Sequence, residues 1–251
     1  MTIKAVTFDL WDTIVDDDSD EIARKDQGLR SKRDERRHQV WEALNAVAPI
    51  EYDAVALAYD TAEAGFNVVW KECHINWTVD QRLRVVLNGL KRELPAAAFA
   101  DLLAKHSRME VDIPPNAIDG ISDALAELST RYKLAVVSDS IVTPGTGLRQ
   151  ILAHHGLKNY FSAFAFSDEV GHSKPNRAMF DRAAEQLGIA VNELVHIGDR
   201  DHNDVKGPHA LGAKAVLFTA ARPDDRDSTT ADAICDHYRD LPTIIDRLAA
   251  Q

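Results

Sequence analysis

Short, nearly continuous apolar runs punctuate the chain at 3–8, 133–137, 163–166, 194–197 and 214–218. Runs of this length, without polar alternation, predict strands buried on both faces of a sheet. Around the later four lie stretches of helical period at 121–132, 147–155, 176–187 and 204–211, the last containing Pro208, which is placed to shorten it. Strand and helix alternate as in βαβ units. The pattern therefore predicts an α/β protein with a Rossmann-like parallel sheet, covered by helices on both faces.

Residues 16–115 break this rhythm. They contain no strand pattern but four helix-sized segments, at 20–47, 52–74, 79–92 and 95–108. In the second, Val55, Tyr59, Ala62, Phe66 and Val69 alternate spacings of four and three and so line one helix face. Such a stripe fits either a seam inside a bundle or a contact with a second copy of the chain, so an oligomer stays open. Pro114 and Pro115 cannot continue a helix and restrict the residue before them, which suits a hinge back into the sheet. The expected organisation is a sheet domain of residues 1–15 and 116–251, interrupted by a helical domain at 16–115.

Charge narrows the function classes. The chain has 29 Lys plus Arg against 40 Asp plus Glu, a formal net charge of -11, which disfavours nucleic acid as a partner. Acids at Asp16, Asp17, Asp18, Asp20 and Glu21 are followed by bases at Arg24, Lys25, Arg30, Lys32, Arg33, Arg36 and Arg37. This order fits a solvated helix aligned with its own dipole, or a set of cations that recruits an anionic substrate. No apolar run approaches the ~18 residues that cross a bilayer, and the N-terminus reads as a strand rather than a leader; no membrane association and a cytoplasmic location are expected. Cys73 and Cys235, far apart, suit neither a disulfide framework nor a structural zinc site.

In an open parallel sheet, ligands bind beyond the carboxyl ends of the strands. The residues there form a chemical set. Asp9 and Thr13 follow the first strand, Ser138 and Asp139 the second, Lys174 the third, and Gly198, Asp199 and Asp204 the fourth. A carboxylate, a hydroxyl, an ammonium and further carboxylates would meet in one crevice.

In order and spacing these motifs resemble those of the haloacid dehalogenase-like hydrolase superfamily: Asp9 with Thr13 four later, Ser138, an isolated Lys174 before a helix, and the Gly198-Asp199 loop with Asp204. The resemblance covers nearly the whole chain and makes residues 16–115 a C1-type helical cap. It implies a Mg²⁺-dependent phosphohydrolase of a small phosphorylated metabolite, with Asp9 as the nucleophile that forms an aspartyl-phosphate. Asp9, the backbone carbonyl of Trp11 and Asp199 would hold the metal, with Asp204 linked to it through water or orienting Lys174. Lys174 would hold the nucleophile and the transferring charge, and Ser138 with Asp139 and nearby backbone would receive the substrate.

Trp11 departs from the pattern. Most phosphatases of the superfamily carry a second Asp there, which protonates the leaving group; indole does no such proton transfer. Asp12 is adjacent but points elsewhere in an extended strand end, unless the loop bends. Three readings follow: a phosphohydrolase of esters with good leaving groups, a 2-haloacid dehalogenase-like hydrolase of a halogenated metabolite, or a weakly catalytic binding protein. The dehalogenases carry an aromatic residue at that position, but Asp199 and Asp139 speak against them. Trp11 suits packing beneath the cap, abutting the substrate. His172 and His202 flank Lys174 and Asp204 as candidate proton donors, against the plainer reading of exposed loop histidines. The segment 70–78, with Trp70, His74 and Trp77, is either a helix corner with Thr78 as N-cap or a specificity loop over Asp9.

Overall fold

The structure, a computed structural model, describes residues 2–251; Met1, within the expected 1–15 segment, lies outside the described residues. In chain order the elements are β1 (Ala5–Phe8), α1 (Ser19–Asp26), α2 (Lys32–Val47), α3 (Tyr52–Cys73), α4 (Val79–Gly89), α5 (Ala96–Asp112) and α6 (Ile121–Leu128). There follow β2 (Lys133–Ser138), α7 (Gly145–His154), β3 (Ala163–Phe166), α8 (Ser167–Val170), α9 (Arg177–Leu187) and β4 (Leu194–Gly198). A π-helical turn (Asp201–Lys206), α10 (Gly207–His209), β5 (Lys214–Phe218), β6 (Ala233–Cys235) and α11 (Leu241–Ala249) complete the chain.

All six strands are parallel, in the order β3-β2-β1-β4-β5-β6. The α/β expectation holds, and each of the five anticipated strands is present. β6 went unforeseen because three residues at a sheet edge are too short to show a period. The strand order reverses between β1 and β4, which are paired through Phe8 and Ile197, so their carboxyl ends open into the switch-point crevice. The strand interiors are fully buried, as helices on both faces require: Val6, Phe8, Val136, Ile197 and Val216 face one layer, and Ala5, Ala135 and Val137 face the other.

Helices α2 to α5 pack around a separate apolar cluster that includes Val40, Leu44, Val55, Leu83, Val86 and Leu102. Val55, Tyr59, Ala62 and Phe66 are buried within the chain, so the stripe on α3 is an internal seam, with Val69 half-buried at its end. The helix expected at 20–47 is instead two. Gly28 adopts φ 69, which ends α1, and the Ser31 hydroxyl then accepts from the Asp34 N–H at 3.1 Å to start α2. Thr78 caps α4 as expected, in a reciprocal capping box with Gln81. The helix expected at 204–211 is replaced by the π-helical turn and α10, since Pro208 lacks the N–H that a continuous helix needs.

The chain leaves and re-enters the sheet region at neighbouring points. Val15 bridges Ala117, and the Asp16 N–H donates to the Asn116 carbonyl at 3.0 Å. Beyond these linkers the helical insertion is tied down by buried polar contacts. Glu110 on α5 pairs with Arg36 on α2, and its other oxygen accepts from Thr143 in the β2–α7 loop at 2.6 Å. The Arg82 guanidinium reaches the Ile141 carbonyl and stacks 4.5 Å above the Phe66 ring.

Burial alone would raise the Glu110 carboxyl, but Arg36 and Thr143 hold it below its ordinary value. The stability it confers is therefore present above the unfolded carboxyl value and lost as the pH falls through the lowered folded value. Glu110→Ala leaves the Arg36 charge buried without its partner and is expected to destabilise the fold by about 3–5 kcal/mol. Thr143→Val removes one hydrogen bond and should cost about 1–3 kcal/mol. Urea unfolding at neutral pH measures both; equal losses would show that the ion pair is not the dominant tie.

Candidate active site

Asp9 leaves β1 beside β4: its N–H donates to the Ile197 carbonyl at 2.8 Å, which fixes it next to the end of the neighbouring strand. Asp199 follows β4, and Asp204 lies on the π-helical turn that folds back over that strand end. Carboxylate oxygens of these three buried residues lie within 4.8 Å of one another. Lys174 enters from the loop after β3, its ammonium 2.8 Å from Asp9 Oδ1 and 2.6 Å from Asp204 Oδ1.

Asp204 is held by three protein contacts, the first of them to Lys174. Oδ1 also accepts from His196 Nε2 at 3.1 Å, and Oδ2 accepts from the Arg200 N–H at 3.0 Å. Because a carboxylate only accepts, His196 carries its proton on Nε2, and Nδ1 takes the Thr7 hydroxyl proton at 2.9 Å. This arrangement suits the role of orienting Lys174. Gly198 makes the approach feasible: a β-carbon there would lie 2.3 Å from Asp204 Cγ.

The electrostatics follow from burial. Desolvation would lower the Lys174 ammonium, but Asp204, Asp9 and Asp139 outweigh it and hold the group protonated, above the usual lysine range. Burial would raise Asp204, yet Lys174 and His196 keep it well below the ordinary carboxyl value. Asp199 lacks such partners: burial, with Asp204 and Asp9 beside it, raises it to about 8. Arg200 Nε and Arg222 Nη1 approach its Oδ2 only loosely, at 3.5 and 3.4 Å. Burial likewise raises Asp139 to about 6, although its Oδ1 accepts from the Lys174 N–H at 2.9 Å.

Above this floor is a cavity of about 290 Å³ whose lining includes Asp9, Trp11, Asp139, Lys174 and Asp199. Two indoles converge on Asp139: Trp11 Nε1 donates to its carbonyl and Trp70 Nε1 to its Oδ2, each at 3.1 Å. Trp11 abuts the cavity, and Trp70 brings α3 down onto the strand ends. Ser138 does not face the cavity; its hydroxyl is buried without a hydrogen-bond partner, as is that of Thr13.

The loop after Asp9 does bend. Asp12 takes φ 53, but its Oδ1 accepts from the Asp17 N–H at 3.3 Å, so it braces the turn and does not line the cavity. His172 contacts Asn176 and His202 faces His74; neither lines the cavity. The residues that sequence reading missed come from the insertion: Lys32, Arg36, Glu110 and Asp17 form the far wall. Only the basic run signalled them, and it could not say which cations turn inward. Each is matched by acid, Lys32 with Asp20 at 2.8 Å and Arg36 with Glu110, while the other bases of the run stay on the surface or bond elsewhere.

Comparison with known proteins fits this architecture. The family description "haloacid dehalogenase-like hydrolase" matches residues 3–212. A glyceraldehyde 3-phosphate phosphatase of Methanopyrus kandleri is 31% identical over 103 residues, which span 40% of this chain and only 44% of that protein. Phosphoserine phosphatase of Thermus thermophilus is 28% identical over 197 residues, 75% of this chain and 76% of that protein. A HAD phosphatase from Thermococcus onnurineus shares the fold with a TM-score of 0.64 at 24% identity, covering 97% of this chain and 98% of that one. With its parallel sheet, its strand-end carboxylates and a match across most of its length, this chain belongs to the haloacid dehalogenase-like hydrolases.

Proposed function

We propose that the protein is a Mg²⁺-dependent phosphohydrolase of a small phosphorylated metabolite, working through a phosphoryl group carried on Asp9. The observation that carries this reading is the buried set Asp9, Asp199 and Asp204, with Lys174 2.8 Å from Asp9 at the floor of the cavity. Four buried carboxylates, counting Asp139, face one buried ammonium, and the raised Asp199 reports the imbalance. A hard divalent cation with oxygen ligands fits that donor set. Asp9, the Trp11 carbonyl and Asp199 would hold it, and Asp204 would stay on Lys174. When bound, the ion supplies charge that screens a phosphate dianion from the carboxylates.

Asp9 attacks phosphorus, the bond to the leaving oxygen breaks, and an aspartyl-phosphate forms; water then attacks phosphorus, restoring Asp9 and releasing phosphate. Lys174, fixed by Asp204, stabilises the Asp9 carboxylate and the charge spreading over the phosphoryl oxygens. Trp11 and Trp70 keep bulk water from the site, while residues 16–115 act as the cap that selects the substrate. With no proton donor at position 11, the chemistry favours leaving groups that depart without one.

Hydrolysis of an aryl phosphate should require both Mg²⁺ and Asp9, with Asp9→Asn reducing turnover by about 10³-fold or more. Activity that persists in Asp9→Asn would overturn the phosphoenzyme. Trp11→Asp should raise turnover of alkyl phosphates by up to about 10²–10⁴, and of aryl phosphates by less; steady-state kinetics on matched esters would show no gain on either if the missing acid is irrelevant. Halide release from a 2-haloacid in excess chelator would instead support the dehalogenase reading that Trp11 raises.

A further inference from the structure

A second groove, of about 430 Å³, opens beside the first between the C-terminal end of α3 and the loop after β4. Lys71 and His74 of the insertion line one side; Arg200, His202, Lys206 and Arg222 line the other. Trp70, Lys174, Arg200 and Asn203 border both this groove and the cavity over Asp9, so the two spaces adjoin. The acids in the groove are already matched: Asp201 pairs with Lys206 at 2.7 Å, and Asp225 with Arg222 at 3.3 Å. Lys71 is not. Among the described residues it makes no ion pair, and the side chains of His74 and His202, their rings 5.9 Å apart across the groove, make no hydrogen bond.

The two walls are held in register. His74 closes α3 at φ 53, its carbonyl accepts from the Ser173 N–H at 3.0 Å, and Ile75 bridges His172. The face carrying Lys71 is thereby fixed to the loop that carries Lys174. On a chain of net charge -11, an adjoining groove with an unpaired ammonium and two free imidazoles from opposite walls is a local reversal of sign.

We propose that this groove receives a second anionic group, a phosphate or a carboxylate, of the same substrate whose phosphoryl group lies over Asp9. This rests on the phosphohydrolase reading and sharpens it: the substrate is a small metabolite with two anionic ends. Lys71, His74 and His202 clasp the distal end, and Arg200, between the two spaces, serves either end. A substrate with one anionic end leaves these donors facing water and gains nothing from them.

The test is calorimetric titration of full-length Asp9→Asn protein, with Mg²⁺, using hexane-1,6-diol bisphosphate and hexyl phosphate. The bisphosphate is expected to bind tighter by about tenfold or more, equivalent to about 1.4 kcal/mol. Adding Lys71→Ala and His202→Ala should erase that preference, and Lys71→Arg alone should retain it. Lys71 and His202 are exposed, and the circular dichroism of the variants verifies the fold. Equal binding of the two compounds, or a preference that survives the double change, overturns the groove while leaving the phosphohydrolase reading intact. Two equivalents of hexyl phosphate, one of them lost in the double variant, would mean a site for independent anions and also overturns it. Failure of both compounds to bind overturns both readings.

Discussion

The structure turns on one buried ammonium. Lys174 sits at the carboxyl end of the sheet among the buried carboxylates of the other strand ends, and it is kept charged by Asp9 on one side and Asp204 on the other. Remove it and three buried carboxylates face each other without a cation between them, an arrangement that desolvation and like-charge repulsion disfavour. The supporting shell exists to hold this pairing: Thr7 orients His196, His196 and the Arg200 backbone hold Asp204, and Gly198 admits Asp204 to the strand. A neutral His196 at the sheet centre costs less than a charged one and still donates the needed proton.

Asp139 plays a different part. Its backbone and side chain receive one indole from the strand end and one from the helical insertion, while its carboxylate also receives the Lys174 N–H. Trp11 therefore has a structural partner as well as a place on the cavity wall. The substitution that removes an acid from position 11 also supplies a donor to the backbone of the neighbouring strand end. Trp70 couples the insertion to the same residue, so its descent and the setting of Lys174 are joined through a single carboxylate.

What could be read from the chain divides along the range of the interactions. Strand ends and their residues were legible because parallel topology forces them together: Asp9, Lys174, Asp199 and Asp204 meet through strand order, which the βαβ rhythm already announced. The break at Gly28 was not, since a basic run spanning both helices masked it. Nor was the turn at Asp12, where a non-glycine residue adopts a left-handed conformation that sequence periodicity does not encode. Lys32, Arg36 and Glu110 were hidden for another reason. They line the cavity only because α2 and α5 pack side by side, and charged residues on a helix ordinarily point outward. Asp204 keeps the expected place beside Lys174, and the hydrogen bonds from His196 and the Arg200 backbone that hold it there are invisible in spacing.

The paired linkers have an evolutionary meaning. Asp16 and Asn116 are joined by one hydrogen bond, so everything threaded between them enters and leaves the sheet at a single address. Such a segment can be lengthened, trimmed or exchanged without moving β1 relative to β2, as adjacent termini permit for inserted domains generally. The strand-end residues and the intervening helices thus sit on separable parts of the chain, and either can vary in sequence while the other keeps its place.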